Sequence, residues 1–149
     1  MSPLLNYTTS LTVNKTVSQV QKILMAHGAK AIAQQCAQGR ITSMFFQIEG
    51  PEGDLSIKLP VNAERVHAVL QRQYREGDLR NRAYAQPEHA ERVAWRILKD
   101  WLEAQMAILE SEMVTLPQIF LPYIIGDGGR TLYEVISDRG FLLTEGKGS

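Results

Sequence analysis

The chain's 149 residues, with 16 Lys and Arg against 16 Asp and Glu and 44% hydrophobic residues, fit one globular domain and exclude a collagen-like, coiled-coil or disordered polypeptide. A domain of this length buries about 68–70% of its unfolded surface, enough for a core without disulfide or metal staples. A net charge of zero excludes a global pull on nucleic acid or membranes, so any charged binding surface must be local.

Met1-Ser2-Pro3-Leu4-Leu5-Asn6 has no basic stretch and no long apolar run, so it does not read as a signal peptide. No segment reaches the length of about 18 apolar residues that a membrane span needs. The expected location is the cytoplasm, and the sequons at Asn6 and Asn14 are then chance matches. A single cysteine, Cys36, forms neither an internal disulfide nor a zinc site.

Residues 5–13 carry Thr, Tyr, Leu and Val, a strand composition. Thr16-Val17-Ser18-Gln19 has capping-box spacing. Val17, Val20, Leu24 and His27 then share one arc of a helix that Gly28 stops. Residues 30–36 read as a strand before the turn Ala37-Gln38-Gly39-Arg40. In 41–49, Thr42, Met44, Phe46 and Ile48 alternate with Ser43, Phe45 and Gln47. Gly50-Pro51-Glu52-Gly53 makes a hairpin, after which Leu55, Ile57 and Leu59 alternate with Ser56 and Lys58. The expectation is an antiparallel meander with one buried face.

Asn62 caps a second helix with Val66, Val69, Leu70, Gln73 and Tyr74 on one face. Residues 77–87 form a polar connector, the one candidate hinge. Pro87 suits a first helical turn, and the apolar pattern runs unbroken to Met113. A helix over 87–113 is about 40 Å long, against a radius of gyration of about 15 Å for such a domain, so it crosses the whole molecule. Its central face holds Ala90, Ala94, Ile97, Leu98, Trp101, Ile108 and Leu109. Trp95, Leu102, Met106 and Met113 widen the arc beyond what one sheet needs. Either helices pack on both sides, or Trp95, Leu102 and Met106 form an interface with a second copy. Gln105, on the apolar face, needs a partner for its amide.

Residues 116–123 read as one helical turn ended by Pro122, and Gly126-Asp127-Gly128-Gly129 as a loop. Thr131 and Glu134 cap a last helix to about Asp138, and Phe141-Leu142-Leu143 suits a final edge strand. The expected fold is α+β, a single domain over 1–145 with 146–149 as a tail. A small antiparallel meander packs against one long central helix, with shorter helices around it.

Little in the sequence carries catalysis. His27, His67 and His89 are far apart and form no HExxH pair. His89-Ala90-Glu91 matches half of a zinc deaminase signature whose two cysteines are missing, which leaves His89 as a surface histidine at a helix start. Cys36 reads as a small core residue. There is no GxSxG elbow, Walker loop or GxGxxG turn, and no spacing forces two carboxylates into one cleft. The sequence implies no catalytic residue, metal or cofactor.

Two binding signals remain. Gly128 and Gly129 let backbone N–H groups converge, and Arg130 and Thr131 would complete an anion pocket at a helix start. The competing reading is a tight turn with a capped helix, and Asp127 would repel an anion. The second signal is basic. Arg92, Arg96 and Lys99 share one face of the long helix, Arg65, Arg72 and Arg75 decorate the outer side of the second, and Arg80 and Arg82 lie in the connector. Residues 65–82 hold five Arg against Glu76 and Asp78, a local excess of three. Arginine suits bidentate phosphate contact, so these eight residues make a candidate nucleic-acid surface, weak and salt-sensitive. The competing reading is the solvated face that every amphipathic helix needs.

The helix–strand–strand–strand–helix order over 16–76 is similar to the double-stranded-RNA-binding fold. That family opens its second helix on a lysine-rich turn, and here the chain reads Asn62-Ala63-Glu64-Arg65, so the likeness is topological. The run from Val93 to Gln105, then Phe120-Leu121-Pro122-Tyr123, then Asp127-Gly128-Gly129-Arg130-Thr131-Leu132-Tyr133, resembles small uncharacterised proteins encoded in bacteriophages and prophages. Asn6-Tyr7-Thr8-Thr9 and Leu59-Pro60-Val61 also fit. The resemblance carries no activity. It implies a mobile-element accessory protein, made inside a bacterial cell, that binds nucleic acid or a host or defence protein. The alternative is a nucleotide- or phosphate-binding protein that uses the 126–131 loop.

Overall fold

A computed structural model describes residues 2–140, so the expected strand at 141–143 and the tail at 146–149 lie outside the described residues. The alternating segments form strands β1 (Ala31–Ala37), β2 (Arg40–Gly50) and β3 (Gly53–Lys58), an antiparallel meander in that order. Met44, Phe46, Ile48 and Ile57 are buried on one face, while Phe45 and Gln47 are half-exposed on the other. The β1–β2 turn places Gln38 (φ 53°) and Gly39 (φ 77°) in the left-handed region, as a type I′ hairpin requires.

Five helices surround this sheet: α1 (Val13–Ala26), α2 (Ala63–Arg75), α3 (Pro87–Glu110), α4 (Leu116–Phe120) and α5 (Leu132–Asp138). At 24 residues α3 is about 36 Å long and the central element of an α+β fold. Its helical stretch stops short of Met113. Ser111 is the C-cap, Glu112 turns left-handed (φ 62°), and Met113 is exposed.

Two cores meet on α3. Trp95, Leu98, Leu102 and Met106 pack with Val17, Val20 and Leu24 of α1, the inner face of the sheet and Phe120. Ala90 and Val93 pack with Leu70 of α2 and with Leu79, flanked by Val66, Tyr84 and Ile97. The wide apolar arc is thus covered by helices on both sides. This corrects the expected interface: Trp95, Leu102 and Met106 are 1%, 0% and 1% exposed, enclosed by α1 and the sheet of the same chain.

The N-terminal segment also differs from expectation. Residues 5–13 form no strand. Thr12, not Thr16, caps α1, its hydroxyl accepting the Lys15 N–H at 3.2 Å, and Thr16 is buried inside the helix. The preceding arm straps the α2–α3 seam. Leu4 N–H donates to Gln73 Oε1 (3.1 Å), Gln73 Nε2 donates to the Ser2 carbonyl (3.5 Å), and Asn6 Nδ2 donates to Asp100 (2.8 Å). His89, expected at the surface, is buried with its Nε2 on the Tyr7 carbonyl. The arm's backbone supplies polar partners that the sequence does not reveal, which is why Gln73 and His89 can be buried at all.

Cys36, expected in the core, is exposed, because β1 is an edge strand that no helix covers beyond Ile32. Gln105 is half-buried rather than enclosed. The connector is itself folded, with Leu79 and Ala85 buried and a 3-10 turn at Arg82–Ala85 that Asn81 caps through the Ala83 N–H (2.9 Å).

Leu102→Ala, at the centre of this packing, should lower stability by about 2–5 kcal/mol, read from the urea midpoint, with no change in the protein's solution mass. A second expectation concerns His27, which joins the ends of α1 and α3. Its Nδ1 donates to the Ile23 carbonyl (2.8 Å) and its Nε2 to Glu110 (3.0 Å). The Glu110 hydrogen bond first, and the Ile23 carbonyl second, raise its pKa above the ordinary 6.5. A raised folded-state pKa gives stability that is fully present below the unfolded value and is lost as pH rises through the folded one. Melting curves should therefore show wild type above Glu110→Gln at about pH 6, with the gap closing on the alkaline side.

Candidate nucleic-acid interface

The eight basic residues divide by layer. On α3, Arg96 Nη1 donates to Gln19 Oε1 (2.5 Å) and Thr16 Oγ1 (3.3 Å) of α1, bracing the two helices. Arg92 Nη2 lies 3.3 Å from His89 Nδ1, and Lys99 Nζ lies 3.1 Å from Glu103 and 4.0 Å from Asp100. All three are half-buried. The basic face expected on the long helix is therefore a packing seam, because α1 and the N-terminal arm cover it. Arg92 is the least committed of the three, since it also borders a cleft of about 400 Å³ edged by Thr8, Thr9, Ser10 and Thr12.

The other five are different. Arg65, Arg72, Arg75, Arg80 and Arg82 are all exposed, and none forms an ion pair with another described residue. Asn62 starts α2 by accepting the Arg65 N–H at 3.1 Å. With Leu70 and Gln73 then turned inward, residues 65, 72 and 75 fall within one arc of about 80°.

The connector brings a fourth arginine, Arg82, beside that stripe. His67 Nε2 donates to the Ala85 carbonyl (3.0 Å) and Gln86 Nε2 to the Arg82 carbonyl (3.1 Å), holding the 3-10 turn against α2. As a result Arg75 and Arg82 line one open cleft of about 550 Å³ together with Tyr74, Gln71, His67 and Gln86. Tyr74, which the helical pattern assigns to the apolar face, is 38% exposed. Its spacing shows why. His67, Gln71, Tyr74 and Arg75 follow an i, i+4, i+7, i+8 pattern, a polar stripe legible in the sequence once Tyr74 is assigned to it.

A neighbouring cleft of about 580 Å³ shares His67 and Pro87 and opens toward the β1–β2 turn. Its one cation is engaged, Arg40 lying 3.1 Å from Glu91 and 3.9 Å from Glu88. Larger though it is, it presents less uncommitted charge than the Arg75–Arg82 cleft.

The 126–131 loop is corrected to a capped turn. Gly128 and Gly129 take positive φ, but Gly129 N–H donates to the Gly126 carbonyl (3.2 Å) and Gly126 N–H to the Arg130 carbonyl (2.9 Å). Thr131 accepts the Glu134 N–H (3.2 Å), while its own N–H and hydroxyl donate to Glu134 Oε1 (2.8 and 3.0 Å). The Thr131 N–H first, and its hydroxyl second, hold the Glu134 carboxyl below its ordinary pKa. Arg130 is paired with Asp138 and donates to the Glu134 carbonyl. The Gly129 and Thr131 N–H groups, the Thr131 hydroxyl and the Arg130 guanidinium are thus engaged within the chain, with a carboxylate already at the helix start.

Among the described residues no group of three or more His, Cys, Asp and Glu side chains is placed to hold a metal ion, and no helix is long and apolar enough to cross a membrane. No family model, curated protein or solved structure matches the chain. The likeness to phage-encoded proteins therefore rests on the residues alone.

Arg96→Ala separates the two groups of arginines. Removing the brace leaves the buried Thr16 hydroxyl without its partner and should lower stability by about 1–3 kcal/mol in chemical denaturation. Binding to any oligonucleotide, measured well below the melting temperature, should be unchanged.

Proposed function

We propose that this protein is a non-catalytic accessory protein of a phage or other mobile element that binds nucleic acid through the outer face of α2 and the connector. The observation that carries this reading is the convergence of Arg75 and Arg82 on one open cleft beside the exposed Tyr74, with Arg65, Arg72 and Arg80 exposed elsewhere on α2 and the connector. Five exposed guanidinium groups with no ion-pair partner among the described residues keep their charge for a ligand. Phosphate oxygens accept the bidentate donation that arginine offers, and an aromatic ring next to them gives an unpaired base a surface to stack on. A single-stranded segment fits this pairing better than a duplex, whose bases are already stacked. Affinity is weak, because five contacts in a net-neutral chain give the magnitude of non-specific binding, about 1–100 µM at physiological salt.

Fluorescence anisotropy with labelled single-stranded and duplex RNA and DNA tests this reading. Binding should strengthen steeply as salt falls. For a single strand the slope of log K against log salt should be about −3.5 if all five arginines meet phosphates. Arg75→Ala with Arg82→Ala should weaken binding and make that slope shallower by about 1 to 2, while Tyr74→Ala should weaken single strands more than duplex. A wild-type protein that shifts no oligonucleotide at low salt overturns the proposal.

A further inference from the structure

A further cleft opens at the other end of the arginine row. Pro60 and Val61 lead into α2, and Tyr123 packs on Trp101 beside them, which leaves a hollow of about 410 Å³ between the start of α2 and the middle of α3. Val66, Ile97 and Leu98 give it an apolar lining. Trp101 and Tyr123 add two half-buried aromatic rings, 5.6 Å apart between centroids and 84° apart in plane. Two planes at right angles form a corner. A flat ring that lies along one of them meets the other edge-on, and both are favourable aromatic contacts. Neither the Trp101 indole N–H nor the Tyr123 hydroxyl has a hydrogen-bond partner among the described residues, so each can donate to the edge of such a ring.

Charge narrows what the hollow takes. Arg65 is the one charged residue that lines it, exposed and without an ion-pair partner among the described residues, and no carboxylate lines it. A cation is repelled there, and an aliphatic group leaves the guanidinium and both ring donors unused. The complement of this lining is a flat aromatic ring joined to an anion, which is the composition of a nucleotide. The Arg75–Arg82 cleft repeats the pairing with Tyr74 as its ring. The two clefts stand on opposite flanks of α2. At about 100° per residue, Gln71 and Tyr74 fall on one flank and Val66 on the other, and Arg75, Arg72 and Arg65 step over the outer side between them. Positions 65 and 75 are about 15 Å apart along the helix axis, the length of about four to five nucleotides in a stacked strand at about 3.4 Å each.

We infer that the hollow bounded by Arg65, Trp101 and Tyr123 is a base-binding site for a single strand whose phosphates meet the arginine row, so that one strand crosses the outer side of α2 diagonally with a base held at each end. The inference rests on the nucleic-acid reading above and adds a second anchor and a minimum length to it. A strand of about eight nucleotides reaches both clefts, whereas a dinucleotide occupies one at a time. Once a base is held beside Tyr74, capture of a second base by the Trp101–Tyr123 corner is an intramolecular step.

Photocross-linking on the intact protein tests the inference. The probe is a deoxyuridine strand of about eight nucleotides with 5-iodouracil in place of each uracil, and the linked residues are mapped by mass spectrometry. Cross-links are expected at Trp101 or Tyr123 as well as at Tyr74. Arg65→Ala removes an exposed side chain that the fold does not use, and should cut the Trp101 and Tyr123 cross-links several-fold while those at Tyr74 persist. A strand that binds by anisotropy yet links at Tyr74 and nowhere in the hollow overturns the inference and leaves the arginine reading standing. The same result follows if residues 141–149 of the chain fill the hollow instead. Undiminished links to Trp101 and Tyr123 in Arg65→Ala overturn it too. Where no residue cross-links, tryptophan emission decides: Trp95 is 1% exposed, so a bound strand that leaves the emission unchanged has not met Trp101 and the inference falls. A protein that binds no oligonucleotide at all overturns both readings.

Discussion

Burial of α3 on two sides is the constraint on which the rest of the fold depends. One stripe, Trp95–Leu98–Leu102–Met106, needs the sheet and α1, and the other, Ala90–Val93 with Ile97, needs α2. A three-stranded meander with one apolar face cannot satisfy both. The chain therefore places α1 before the sheet and α2 after it, one on each flank of α3. The N-terminal arm then closes the α2–α3 seam through Gln73, Asp100 and His89. Aromatic contacts fasten the C-terminal segment to the same helix, with Trp101 edge-on to Phe120 at 6.0 Å and to Tyr123 at 5.6 Å.

This layering decides what each arginine does. A guanidinium on the central helix can satisfy its donors only within the protein, and Arg96 does so by reaching Thr16 and Gln19 on α1. A guanidinium on the outer side of α2 has nothing packed over it, and Arg72 and Arg75 keep their charge in solvent. Both groups look the same in a helical wheel. The difference between a structural brace and an uncommitted charge lies in how many layers stand outside the helix, a property of the tertiary arrangement.

What was legible in the residues was whatever depends on local periodicity. The strict alternation through Met44, Phe46 and Ile48 placed the meander, Asn62 and Thr131 placed two helix starts, and Pro87 placed the start of α3. What was not legible depends on partners distant in sequence. Thr16 and Gln19 have capping spacing, yet they serve as acceptors for Arg96, a residue 80 positions beyond Thr16, while Thr12 starts the helix. His89 looks solvent-facing at the first turn of α3 and is buried by the backbone of Tyr7. The flank of Trp95, Leu102 and Met106 offered two readings, helices on both sides or a second copy. Periodicity has no term that chooses between cover from the same chain and cover from another.

A net-neutral protein with five exposed arginines along α2 and the connector gains little affinity from any one of them, because each phosphate contact adds modestly and salt erodes it. Binding by such a patch depends on how many phosphates one ligand presents at once, so a continuous strand would gain more from it than a mononucleotide.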